Sequence, residues 1–194
     1  MISILLALHL AFFLPFLLRL LGMIRPAGAR GAGPQTAETH SDPRAVALLV
    51  LHGAAFAIFY WGLLSELAGN RAPRAGAAAA LPGALLLVLA IGLLSWSLWV
   101  FRSWRLLAEL DRGHELCTRG PFRWVRHPIY LACDLLALGT AIWIGAPRVW
   151  VGVVLVVLGG DLRARAEERI LLAAFGERYR DYMNRSSRLI PGLY

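Results

Sequence analysis

Five apolar runs, at residues 2–21, 45–67, 77–101, 129–144 and 149–162, divide the chain, with polar stretches between them. A helix of about 20 apolar residues crosses the hydrocarbon core of a bilayer, so each run predicts a membrane helix. None alternates as a half-buried strand would. The first run lacks a basic lead-in and is too long for the apolar core of a secretory signal, so it too is read as a membrane helix. The fourth and fifth are short, and Gly145-Ala146-Pro147-Arg148 between them suits the turn of a tight helical hairpin. The expected fold is all-α, a polytopic integral membrane protein of about five transmembrane helices. It forms one domain over 1–194, with three N-terminal helices in 1–101 and a loop, the hairpin and C-terminal helices in 102–194.

Composition agrees. Of the 194 residues, 58% are hydrophobic and 16% charged, against roughly 25% charged in an ordinary soluble domain. The 20 basic residues are all arginine, and with 12 acidic residues the formal charge is +8. In a soluble protein that excess would raise nucleic-acid binding; here the arginines lie mainly between apolar runs, which points to topology and to no nucleic-acid partner. With the N-terminus outside, 17 arginines fall on the cytoplasmic side and only Arg71, Arg74 and Arg148 outside, as the positive-inside rule requires. The C-terminus is then cytoplasmic, in the cell membrane. The absence of lysine excludes Schiff-base and Walker-type chemistry. Cys117 and Cys133 have no metal-ligand spacing and suggest no disulfide framework. The first loop, 23–44, is rich in Gly, Ala, Pro and Thr and reads as a linker.

Polar and aromatic residues concentrate in 114–130 and 163–182. The first of these enters a membrane helix through His127-Pro128, and proline suits a first helical turn because its missing N–H has no partner there. Arg123, Trp124 and Arg126, taken singly, fit a basic juxtamembrane segment with aromatic anchors. In the second, Arg163 and Glu167 are four apart and share a helix face. They form either a surface ion pair or a cation for an anionic substrate beside a carboxylate for a cofactor hydroxyl or amine. Asp134 lies inside an apolar run, where a charge costs roughly 2.5–3.5 kcal/mol, as a general base or as a buried structural partner. His9 and His52 are read as packed or hydrogen-bonded helix residues, Glu66 as an interface residue, and Trp96, Trp99 and Trp104 as core and interface belt.

In order and spacing, Gly120-Pro121-Phe122, Arg126-His127-Pro128-Ile129-Tyr130, Glu167-Glu168 and 175–182 (Phe-Gly-Glu-Arg-Tyr-Arg-Asp-Tyr) resemble a known signature. It is that of the isoprenylcysteine carboxyl methyltransferase and phospholipid methyltransferase superfamily. The resemblance covers about the C-terminal half. It implies an enzyme that uses S-adenosyl-L-methionine without a Rossmann domain, in a helical pocket on the cytoplasmic side. The sequence accordingly has no G-x-G-x-x-G after a strand. By residue, the resemblance implies that His114, Glu115, Leu116 and Cys117 line one side of the cofactor and that Phe122, His127, Pro128, Ile129 and Tyr130 add to the pocket. It makes Glu167 the cofactor-binding glutamate and Arg163 the substrate-binding arginine. Phe122 stands where the family often has tyrosine, and Cys117 where it usually has valine.

Methyl transfer from a sulfonium is an in-line displacement in which positioning dominates and no metal is needed. Aromatic faces such as Phe122 and Tyr130 favour a cation by roughly 0.5–2 kcal/mol. Arg163 suits bidentate binding of a carboxylate, which needs no general base. An amine, phenol or thiol gains from one, and Asp134 is the candidate. The resemblance therefore implies a lipophilic or lipid-linked acceptor entering from the bilayer, first the carboxylate of a C-terminal S-isoprenylcysteine. A phospholipid amine or a lipophilic phenol is the alternative. Two other readings are an NADPH-dependent enzyme like the sterol reductases, which are usually much longer, and a membrane scaffold without activity.

Overall fold

The computed structural model describes residues 2–24, 40–41, 44–69, 73–101, 109–110 and 116–194. Six α-helices carry the fold: α1 (Ile2–Ile24), α2 (Ala45–Ala68), α3 (Gly76–Val100), α4 (Pro128–Ile144), α5 (Pro147–Phe175) and α6 (Glu177–Met183). A 3₁₀ turn at Gly120–Arg123 precedes α4. His40–Ser41 and Glu109–Leu110 form a two-residue antiparallel ladder.

Every apolar run predicted from sequence is helical. Three helices, α1, α2 and α3, are long and apolar enough to cross a membrane. At 17 residues α4 is shorter. In α5 the apolar part continues into a polar part without a break, giving 29 residues, about 44 Å at 1.5 Å per residue. Both hairpin helices begin with proline in the first turn, where no N–H is required. Helix α4 ends on Gly145 in the left-handed region, at φ 71°, a conformation open to glycine at little cost.

Small residues set how closely the helices approach. A Cβ on Gly83 of α3 would stand 2.7 Å from the Gly139 carbonyl of α4, and one on Gly152 of α5 would stand 2.6 Å from Phe59 Cα of α2. Such contacts replace hydrophobic driving force in lipid, where tight packing holds helices together. Thus α3 lies against α4, α4 against α5, α5 against α2, and α1 against α3. Leu5, Phe12, Phe59, Leu63, Leu87, Leu94, Leu136, Val149 and Val156 are buried where the helices meet, while Leu10, Val50, Leu81 and Trp99 stay outward and exposed. Within this core His9 Nδ1 donates to the Leu5 carbonyl at 2.9 Å and Nε2 lies 3.0 Å from the Thr140 hydroxyl. It is the packed, bonded histidine that the sequence predicts.

One end of the bundle is closed by Glu66 at the end of α2. It is 3% exposed and pairs with Arg148 at 3.1 Å and Arg74 at 3.8 Å. The opposite end, where α2 and α4 begin and α5 leaves the apolar layer, holds both polar stretches.

Candidate active site

The site begins with the join between α4 and the C-terminal segment. The chain at 124–127 pairs with 187–188 through an isolated parallel bridge between Val125 and Ser187: Ser187 N donates to the Trp124 carbonyl at 3.0 Å, Arg126 N to that of Ser187 at 2.8 Å, and His127 N to that of Arg188 at 3.1 Å. These bonds fix the backbone entering α4. They also leave His127, at the helix start, with its ring turned into the protein and 5% exposed.

From α5, two neighbouring carboxylates meet this ring. Glu167 Oε2 lies 3.4 Å from His127 Nδ1 and Glu168 Oε1 3.6 Å from Nε2. Burial opposes the imidazolium, but the carboxylates of Glu167 and then Glu168 beside it outweigh that cost and raise the His127 pKa above its ordinary value. Burial likewise opposes the Glu167 charge, and hydrogen bonds from His127 and Tyr130 overcome it to lower that pKa.

Beyond that the two glutamates diverge. Glu168 is 6% exposed at its side chain and accepts from Arg126 Nε at 2.8 Å and from both Nε and Nη2 of Arg188, at 3.0 and 2.8 Å. Against the cost of burial, His127 and these two arginines depress its pKa strongly. Arg126 also donates to the Met183 and Ser186 carbonyls. Glu168 therefore clamps the last turn of the chain to α4 and α5. Arg188 and Arg165 extend the clamp to Asp161 and the Tyr194 hydroxyl, which itself lies 2.9 Å from Asp161.

Glu167 makes no such arginine fork and its side chain is 26% exposed. Its Oε1 accepts from the Tyr130 hydroxyl and lies 3.9 Å from Arg163 Nη2. The Arg163 guanidinium sits over the Tyr130 ring, 5.2 Å from its centroid, and the His127 ring stacks on Tyr130 at 5.7 Å. Four residues singled out in the sequence, His127, Tyr130, Arg163 and Glu167, thus come together. The i,i+4 pair of Arg163 and Glu167 packs half-buried around an aromatic ring rather than lying on an open surface.

The remaining predicted residues lie around this cluster. Asp134 is one turn along α4 from Tyr130. Its Oδ1 and the Tyr130 Cβ both stand 3.7 Å from the position a Cβ would take on Gly160. Pro128 is buried in the first turn of α4, and half-buried Ile129 packs against the helical core. The Phe122 ring is buried edge-on against Phe101 at 5.4 Å, and its carbonyl accepts from the Tyr182 hydroxyl at 2.5 Å. Leu116 and Cys117 are half-buried in the approach to the 3₁₀ turn. His114 and Glu115 lie outside the described residues, as does Trp104.

Sequence reasoning missed several members. Arg126 reads as a juxtamembrane anchor but is the buried partner of Glu168. Arg188 carried no motif at all; only its pairing with an acid 20 residues earlier reveals it. His52 of α2 reaches the site because Gly159 of α5 leaves room for it, a Cβ there standing 2.9 Å from His52 Cδ2. Its ring meets the edge of Tyr130 at 5.9 Å. Among the described residues no group of three or more His, Cys, Asp or Glu is arranged to hold a metal ion.

Two comparisons bear on this geometry. Over 74 residues the chain is 39% identical to the methanethiol S-methyltransferase of Mycobacterium tuberculosis (strain ATCC 25618 / H37Rv), a match covering 36% of this chain and 28% of that protein. The sequence profile of the phospholipid methyltransferase family matches residues 78–178. That stretch is more than half of the chain and contains almost the whole of α3, all of α4 and α5 and the complete cluster of His127, Tyr130, Arg163 and Glu167. On that match this membrane-type helical chain belongs to the phospholipid methyltransferase family.

Proposed function

We propose that the protein is an integral membrane methyltransferase that uses S-adenosyl-L-methionine and methylates a lipophilic acceptor reached from the bilayer. The observation that carries the reading is the unequal treatment of two adjacent carboxylates. Glu168 is saturated by arginines, whereas Glu167 is ionised, partly open and beside a ring that already carries a cation. Those features fit the donor. An ammonium or ribose hydroxyl would be held by the free lone pairs of Glu167. His114, Glu115, Leu116, Cys117, Phe122, Pro128 and Ile129 complete the proposed binding surface. When bound, the donor supplies an activated methyl group; the protein's part is to hold it and the acceptor in line.

In the proposed topology all five long helices sit in the cell membrane, the N-terminus outside and the site on the cytoplasmic face. The arginine distribution supports it. For the acceptor, the sequence motifs favour a carboxylate held by Arg163, as in S-isoprenylcysteine. Two observations favour a thiol instead. Arg163 is already engaged by Tyr130 and Glu167, and the named relative is a methanethiol S-methyltransferase. A thiol acceptor is the reading adopted here.

Purified protein in detergent should bind S-adenosylhomocysteine in a calorimetric titration; a folded protein that binds none overturns the proposal. Labelled methyl transfer to farnesylcysteine, phosphatidylethanolamine, an alkylphenol and octanethiol, with the product identified by mass, then assigns the acceptor. Transfer to octanethiol is expected.

A further inference from the structure

Two polar atoms at the deep side of the site have no partner among the described residues: Nε2 of His52 and Oδ1 of Asp134. They come from different helices, α2 and α4. Both face the bare backbone of Gly160 in α5, where a Cβ would stand 3.7 Å from Asp134 Oδ1 and 3.8 Å from His52 Cε1. Gly159 admits the His52 ring, since a Cβ there would stand 2.9 Å from its Cδ2. His52 is 4% exposed, and a buried polar atom left unbonded costs roughly 1–3 kcal/mol. Such atoms persist where a ligand satisfies them or a reaction uses them.

The other nitrogen of the His52 ring is engaged by the Val156 carbonyl. A carbonyl accepts only, so Nδ1 carries the proton and Nε2 presents a lone pair. That lone pair lies beside Tyr130. The charged and titratable groups facing His52 are Tyr130 and Asp134 from α4 and Arg163 and Glu167 from α5.

We propose that His52 Nε2 receives the proton of a thiol acceptor during methyl transfer, with Asp134 facing the imidazolium that forms. This deepens the reading above and rests on it. The S–H bond breaks and its proton passes to Nε2. The sulfur electron pair forms a bond to the methyl carbon of the sulfonium donor, and the donor's C–S bond breaks with its electron pair returning to sulfur. The products are a thioether and a neutral donor sulfide, and the imidazolium then releases its proton to water. A thiol needs this help because the thiolate is the nucleophile; a carboxylate does not. The arrangement thus assigns a catalytic residue to an N-terminal helix that carries none of the family motifs.

The test compares octanethiol, which is protonated near neutral pH, with pentafluorothiophenol, which is ionised there. In His52→Gln, kcat for octanethiol should fall about 100-fold or more, kcat for pentafluorothiophenol should be little changed, and S-adenosylhomocysteine should bind as in the wild type. Equal loss for both thiols, or loss for neither, overturns the role of His52. If His52→Gln does not fold, the wild-type protein decides by its solvent deuterium isotope effect: transfer to octanethiol should be slowed in heavy water and transfer to pentafluorothiophenol should not, and equal effects overturn the proposal. A wild type that binds S-adenosylhomocysteine and methylates farnesylcysteine but no thiol overturns this proposal and leaves the methyltransferase reading standing. A folded wild type that binds no S-adenosylhomocysteine removes both.

Discussion

The two ends of the helical bundle solve the same problem differently. At one end Glu66 is buried and pairs with Arg148 and Arg74, whose side chains are 40% and 47% exposed. At the other, Glu168 is equally buried but its partners are far less exposed, Arg126 at 9% and Arg188 at 19%. The first is a clasp between the end of α2, the start of α5 and the loop before α3, and water can relax it. The second is a closed network that seats the C-terminal segment against the start of α4. Beside that network an adjacent carboxylate remains partly open against a tyrosine, a histidine and a stacked arginine. A saturated acid next to an unsaturated one separates holding the site together from using it.

The sharpest way to break this comparison is Glu168→Ala. It strands Arg126 in a buried position, and removing one partner of a buried pair costs about 3–5 kcal/mol. Unfolding in detergent should show that loss, and Glu66→Ala should cost markedly less because its arginines can hydrate. Equal losses would mean that the two ends are energetically alike.

Glu167→Gln should do the reverse. Stability should fall less than in Glu168→Ala, while S-adenosylhomocysteine should bind about 10–100-fold more weakly, the worth of one hydrogen bond to a charged group. Calorimetry checks it, and unaltered affinity would remove Glu167 from the cofactor site. Arg163→Ala sharpens the division within the cluster: affinity for S-adenosylhomocysteine should be spared while kcat falls about tenfold. Weakened cofactor binding in that variant would place Arg163 on the donor side.

Dependence on pH should be gentler and confined to the network end. The raised His127 pKa contributes stability that is complete below the ordinary histidine value and is lost as pH rises through the elevated one. The lowered pKa values of Glu167 and Glu168 contribute above the ordinary glutamate value and are lost as pH falls toward the depressed ones. The unfolding midpoint should therefore be highest between about pH 4.3 and 6.5, and His127→Gln should flatten its alkaline side. An unchanged profile in that variant would deny His127 its charge. Least affected should be Arg165→Ala, since its ion pair with Asp161 is exposed and such pairs contribute little. No measurable change in unfolding is expected.

Helix positions were readable from the chain because lipid demands long apolar runs and because proline and glycine mark the hairpin at 145–148. The cluster of His127, Tyr130, Arg163 and Glu167 was readable too, since a tight motif and an i,i+4 spacing hold across any continuous helix. The division of labour between Glu167 and Glu168 was not. As neighbours in sequence they look alike, and they part only because α5 turns one toward Arg126 and Arg188 and the other toward Tyr130. Nor did sequence reveal His52, which looks like His9: each is a lone histidine in an apolar helix. His9 found Thr140 and Leu5, whereas His52 met the glycines of α5 and was left with a free nitrogen.

From its sequence alone this protein was determined to be a membrane-type, all-helical member of a methyltransferase-like superfamily, because hydrophobic length, arginine placement and local motifs are properties of the chain itself. Only the tertiary structure decided which charges are saturated and which remain available. That depends on how closely helices distant in sequence approach, and a single Cβ at Gly152 or Gly159 would change it.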